Sequence, residues 1–173
     1  MNSKEIKFCQ LNLNRRILAT LDLDNRPEDI YLLQEPNIGK KGPIIKHKRG
    51  WFALQNARAA VYIRQPGLDS ILLSKFSTPD LVSVEIKSLG MIVCSGYFDS
   101  CQGIPQELKE LCSYCSTKNY KLLIGIDSNA HSGMWGCTDE NRGGELVEDF
   151  IVNYNLNLHN VGSVPIFERK MNN

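Results

Sequence analysis

Between residues 51 and 98 the sequence breaks into five short apolar segments, WFALQ, AAVYIRQ, SILLSKF, LVSVEIKS and MIVCSGYF, with turn residues at QPG and SLG. Runs of this length, rich in β-branched and aromatic residues and bounded by Pro and Gly, read as strands that reverse direction at the turns. Elsewhere the spacing differs. IKFCQLNL (6–13), DIYLLQEP (29–36) and YKLLIGI (120–126) are also strand-like, but helical patterns adjoin them at 16–23 and 104–117. The second helix carries Leu108, Leu111, Cys112 and Cys115 as its apolar stripe. A third helix is expected over 144–154, and a last short strand over LNLHNV (156–161). Strands that follow one another directly in one part and alternate with helices in another call for an α/β layered sandwich of mixed sheets.

The 173 residues, 42% hydrophobic and 23% charged, suffice for one domain with a real core, and no repeat or linker divides them. We therefore expect a single domain over 1–173. No apolar run approaches the roughly 20 residues that cross a bilayer, and MNSKEIKFCQ lacks a signal-peptide core, which points to a soluble intracellular chain without a membrane partner. The six cysteines then read as reduced thiols. Cys112 and Cys115 form a C-x-x-C pair, but on a helix that spacing places both on one face, and no second ligand pair follows for zinc.

Net charge is only +1, yet residues 39–52 hold Lys40, Lys41, Lys46, Lys48 and Arg49 with no acid, next to Trp51 and Phe52. Such a loop suits a phosphate backbone, each cation replacing a counterion and an aromatic packing on a sugar or base. It equally suits a solvated loop with two core aromatics.

Three strand ends carry polar groups. Gln10, Asn12 and Asn14 share one face of the first strand, where amides are costly unless satisfied. Glu35 follows the apolar IYLLQ; a carboxylate there fits a hard cation, or a salt bridge with a nearby Lys or Arg. Asp127 and Asn129 straddle Ser128 as the chain leaves KLLIGI, and so are expected on one side of it. Asp127 suits orienting or deprotonating a water, and Asn129 suits donating its amide to a phosphate oxygen; an Asx-type turn is the plain alternative. Three such ends in one domain favour a cleft, because ligands bind at strand ends in layered folds.

In this order, Gln-Leu-Asn-Leu-Asn (10–14), Gln-Glu-Pro (34–36), Ser-Gly-Tyr-Phe (95–98) and Asp-Ser-Asn-Ala-His-Ser-Gly-Met-Trp-Gly (127–136) resemble the exonuclease-endonuclease-phosphatase superfamily. More narrowly they resemble the apurinic-endonuclease-like domain of arthropod-type non-LTR retrotransposons, over residues 6–167. The resemblance implies a four-layered, deoxyribonuclease I-like α/β sandwich that nicks double-stranded DNA with Mg2+, or Mn2+ in its place. In a full-length element the nick primes a reverse transcriptase on the same polypeptide. The nicking step belongs in the nucleus, and the protein otherwise in the cytoplasm. Carried over by position, Asn12 and Glu35 match the metal-side residues and Tyr97 the tyrosine of the phosphate pocket. Asp127 and Asn129 match the pair that positions water and phosphate. His131 matches a subfamily position rather than the superfamily's catalytic histidine.

Two departures stand out. Pro165-Ile166-Phe167 lacks the family's threonine, and the closing Ser-x-Ile-Asp and Ser-Asp-His motifs do not follow before Asn173. His47 and His159 have no motif that would replace the missing histidine. A positioned acid or base contributes about 10²–10⁴ in rate, so activity is expected to be impaired by C-terminal truncation, with the closing strands missing. The competing reading is an inactive retroelement-derived remnant that binds DNA or protein. A relative acting on another phosphoester is disfavoured by the Asp-x-Asn-Ala-His-Ser form.

Overall fold

The computed structural model describes residues 5–39, 42–43, 45 and 48–160. In chain order the strands are β1 (Phe8–Asn12), β2 (Ile30–Gln34), β3 (Ile38–Gly39), β4 (Gly42–Pro43), β5 (Trp51–Phe52), β6 (Ala59–Ile63), β7 (Ser70–Leu72), β8 (Leu81–Ile86), β9 (Met91–Tyr97) and β10 (Lys121–Asp127). The helices are α1 (Ile17–Asp22), α2 (Gln106–Lys118) and α3 (Arg142–Asn153). The chain divides into two compact units, one of Met1–Phe98 with Pro105–Ser128, the other of Asp99–Ile104 with Asn129–Asn173.

The first unit holds both four-stranded sheets, ordered β1-β2-β6-β5 and β10-β9-β8-β7, and the small β3-β4 pair. Each large sheet pairs its first two strands in parallel and the rest antiparallel. Strand periodicity sorts the side chains into layers. Ile30 and Leu32 of β2 join Val61, Val82, Val84, Ile86 and Val93 in the core between the sheets, while Tyr31 and Leu33 face the other way with Leu13, Leu23 and Tyr62. Each fully buried aliphatic chain contributes about 1.5–3 kcal/mol relative to exposure, so the inter-sheet core is the main cohesive element. The short α1 adds Ala19 to the outer cluster.

On the far side α2 buries the expected stripe of Leu108, Leu111, Cys112 and Cys115. Its Tyr114 ring packs 5.2 Å from Phe76. Burial pushes the thiols of Cys94 and Cys112 up to about 12 and that of Cys115 to about 11, so these cysteines pack as inert apolar groups at neutral pH. All six cysteines are free. Helix, sheet, sheet and helix form the expected sandwich, and among the described residues no helix is long and apolar enough to cross a membrane.

The second unit is built on α3. Asn141 caps it, accepting from Gly144 N at 2.8 Å, which starts the helix at Arg142 rather than at the expected residue 144. Gly143 and Gly144 are both buried; a Cβ on Gly144 would lie 2.0 Å from His131 O, so backbone packs directly on backbone there.

Three expected strands differ. WFALQ pairs only at Trp51–Phe52, because the chain turns at Asn56 (φ 57°) with Ala57 N bonded to Leu54 O. SILLSKF bends into a 3-10 turn at Ser74–Phe76. LNLHN is irregular over its described residues Leu156–Asn160: Asn155 adopts φ 50°, and Leu156 N returns to Ile151 O in a helix-ending turn.

Candidate active site

The parallel pairs explain where the polar residues collect. Asn12 is in register with Gln34 on β2, and Asp127 with Tyr97 on β9, so each pair of strands ends on the same side. Asn12, Glu35, Tyr97 and Asp127 therefore stand at four adjoining carboxyl ends within the first unit. The Asn12 amide joins them: its Nδ2 donates to Asp127 Oδ2 at 2.7 Å and reaches Glu35 Oε2 at 3.4 Å, while its Oδ1 accepts from Asn14 N at 2.8 Å.

Glu35 lies one residue beyond β2 in the left-handed region, φ 46°. A non-glycine residue there costs about 1–3 kcal/mol and persists only when its surroundings hold it. They do: Glu35 N donates to Arg58 O at 2.7 Å, and Glu35 O accepts from Arg15 N at 2.8 Å. The Arg15 guanidinium sits 3.8 Å from Glu35 Oε1, yet Arg15 is largely exposed and compensates the carboxylate weakly. Tyr97 stands beside both carboxylates. Burial first, and then the charges of Glu35 and Asp127, push its phenol up, so it stays a neutral donor at pH 7.

Behind this cluster the two sheets are bolted together. Gln34, fully buried, donates through Nε2 to Ser95 Oγ at 3.0 Å and Gly125 O at 3.1 Å, and Ser95 Oγ donates to Leu33 O at 2.9 Å. Gln10 Nε2 donates to Ile126 O at 2.9 Å. Gly125 is required for this approach, because a Cβ there would meet Leu32 Cδ1 at 2.7 Å and Gln10 Oε1 at 3.1 Å. The motifs around Gln34 and Ser95 are visible in the sequence, but not their role as struts; polar residues inside otherwise apolar strands were the available signal.

The remaining candidates lie elsewhere. Asn129 belongs to the second unit, where its φ of 52° ends the extended alternation, and its backbone carbonyl accepts from Asn141 Nδ2 at 3.0 Å. His131 Nδ1 pairs with Asp139 Oδ2 at 2.7 Å, and that hydrogen bond holds the Asp139 carboxyl below its usual range. His159 is exposed in the irregular segment. Of the basic loop, Lys40, Lys41, Lys46 and His47 lie outside the described residues; Lys48–Gly50 form a 3-10 turn with Arg49 exposed. Trp51 packs tilted against Tyr62, ring centroids 5.8 Å apart, and Phe52 packs on the inter-sheet core, so both aromatics serve the interior.

Residues 91–173 match the family model described as endonuclease-reverse transcriptase. No curated protein matches the chain. Among solved structures it resembles the endonuclease domain of TRAS1, a telomere-specific non-LTR retrotransposon, with a TM-score of 0.73 and 26% identity over 94% of this chain and 77% of that one. The sandwich, the strand-end cluster and both matches agree with the family that the motifs suggest. The chain is thus similar, in its fold and over residues 91–173, to the endonuclease domains of non-LTR retrotransposons.

Proposed function

We propose that this chain is a Mg2+-dependent DNA endonuclease domain whose phosphodiester site is the cluster of Asn12, Glu35, Tyr97 and Asp127. The observation that carries the reading is one amide, Asn12, drawing together carboxylates delivered by two different sheets. Two carboxylates converging beside a weakly compensating arginine favour a cation. Hard oxygen donors with one or two carboxylates suit Mg2+, which keeps several of its own waters.

Glu35 would hold the ion through its carboxylate and Asn12 through the second lone pair of Oδ1, the first being taken by Asn14 N–H. When bound, the metal neutralises charge that develops on the phosphoryl oxygens. The protein's own groups do the rest. Tyr97, kept protonated, donates its hydroxyl hydrogen to a non-bridging phosphate oxygen. Asp127, anchored by the Asn12 amide, accepts a hydrogen bond from the attacking water and holds it in line. In a full-length element the same polypeptide would carry a reverse transcriptase that extends the resulting 3′ end, and the nick would be made in the nucleus.

Supercoiled plasmid tests this reading. Incubated with Mg2+, the 173-residue chain and a form extended by a Ser-Asp-His segment should yield nicked circles, more slowly without the extension. EDTA should stop both. No nicking by either form would overturn the proposal.

A further inference from the structure

Arg58 and Asp80 are outside every motif that identified the site, yet both touch its scaffold. The main-chain carbonyl of Arg58 accepts from Glu35 N at 2.7 Å, and that of Asp80 accepts from Tyr97 N at 2.9 Å. Their side chains close on each other as a fork: Arg58 Nε to Asp80 Oδ1 at 2.5 Å and Nη2 to Oδ2 at 2.6 Å. The guanidinium also stands over the Tyr97 ring, 5.2 Å from its centroid. Arg58 precedes β6 of one sheet and Asp80 precedes β8 of the other, with Arg58 N bonded to Pro79 O at 2.7 Å. One ion pair thus joins the backbone anchor of Glu35 to the backbone anchor of Tyr97.

We propose that Arg58 and Asp80 form a positioning clamp, which fixes the Tyr97 ring and the Glu35 backbone relative to each other by tying together the two sheets that carry them. The inference rests on the reading of this cluster as the phosphodiester site. Its stabilising effect is modest, because both side chains are more than a third exposed. Its value is geometric, since a bidentate guanidinium–carboxylate pair fixes distance and plane together, which a lysine cannot reproduce. Glu35 needs such a restraint, because its left-handed backbone relaxes once Arg58 O moves away.

The test follows the Tyr97 ring, over which the Arg58 guanidinium stands. With 13C-labelled tyrosine, and Tyr97→Phe to assign the signal, the Tyr97 ring resonances at pH 7 should shift and broaden in both Arg58→Met and Asp80→Asn, because the ring loses its fixed neighbour. Unchanged Tyr97 resonances in both variants would overturn the clamp. Where Arg58→Met fails to fold, Asp80→Asn and the exchanged pair Arg58→Asp/Asp80→Arg supply the comparison, and the exchanged pair should bring the resonances back toward the parent positions.

Plasmid nicking provides the second readout. Arg58→Met should slow it roughly ten- to a hundredfold, and should have little effect when Tyr97 is already Phe. An equal loss in both backgrounds contradicts a role through Tyr97. Should no form of the chain nick DNA, the proposed function fails, while the Tyr97 ring resonances still decide the clamp.

Discussion

The stretch GIDSNAHSGMWG runs through two regions that organise polar side chains in different ways. In the first unit, Asn12, Glu35, Tyr97 and Asp127 are held at strand ends, their backbones set by sheet register and braced by Gln34, Ser95 and Gln10. In the second, the loop from Asn129 to Asn141 depends on one amide. Asn141 accepts from His131 N at 3.0 Å and Gly144 N at 2.8 Å and donates to Asn129 O at 3.0 Å. His131–Asp139 and Ser132–Glu148 contacts complete it. A polar group at a strand end can be spent on chemistry because the sheet holds the backbone. In the loop the polar groups themselves are the scaffold.

That contrast can be broken most sharply at Asp127. Asp127→Asn preserves shape and leaves the sheets intact, so nicking should fall about 10²–10⁴-fold, the usual weight of a positioned acid or base, while the thermal midpoint stays put. A large drop in the midpoint would make Asp127 structural instead. Gly125→Ala should act oppositely on the same strand. Its Cβ pushes on Leu32 and Gln10 and spreads the sheet ends, costing about 1–3 kcal/mol in urea unfolding, and activity with it.

In the loop, Asn141→Ala removes the α3 cap and two further bonds. The expected cost is about 0.5–2 kcal/mol, read by hydrogen exchange as faster opening in residues 129–153 without change in β9 or β10. The smallest effect concerns Asp139, whose folded carboxyl is held below its ordinary value of 3.8 by His131. Stability from that pair is fully present above the unfolded value and is lost as pH falls through the lower folded one. Asp139→Asn should therefore flatten the acid limb of the stability curve slightly, as measured by denaturation between pH about 6 and about 3. An unchanged limb would show that the pair contributes nothing.

The strand-end pattern was legible because apolar runs ending in Asn12, Glu35 and Asp127 break local composition in a way that periodicity exposes. The α2 stripe was legible for the same reason, since Leu108, Leu111, Cys112 and Cys115 fall on one helical face. What escaped were features that depend on two distant segments meeting. Asp80 follows Pro79 in what reads as an ordinary turn, and nothing local marks it as the partner of Arg58, 22 residues earlier. Gly125 looks like a weakness in a strand until Leu32 is seen against it. Over its described residues 156–160 the expected strand failed through its flank: Asn155 ends α3 with a left-handed turn that sends Leu156 back toward Ile151.

The central claim is that carboxylates from two sheets work as one hydrolytic centre, and a double-mutant cycle in plasmid nicking tests it most directly. Initial rates with Mg2+ would be compared for the parent, Glu35→Ala, Asp127→Ala and the double variant, each checked for an unchanged fold. The account predicts that the double variant loses no more than the worse single one, because either loss disables the same centre. Losses that multiply, or nicking that survives both substitutions, would contradict it.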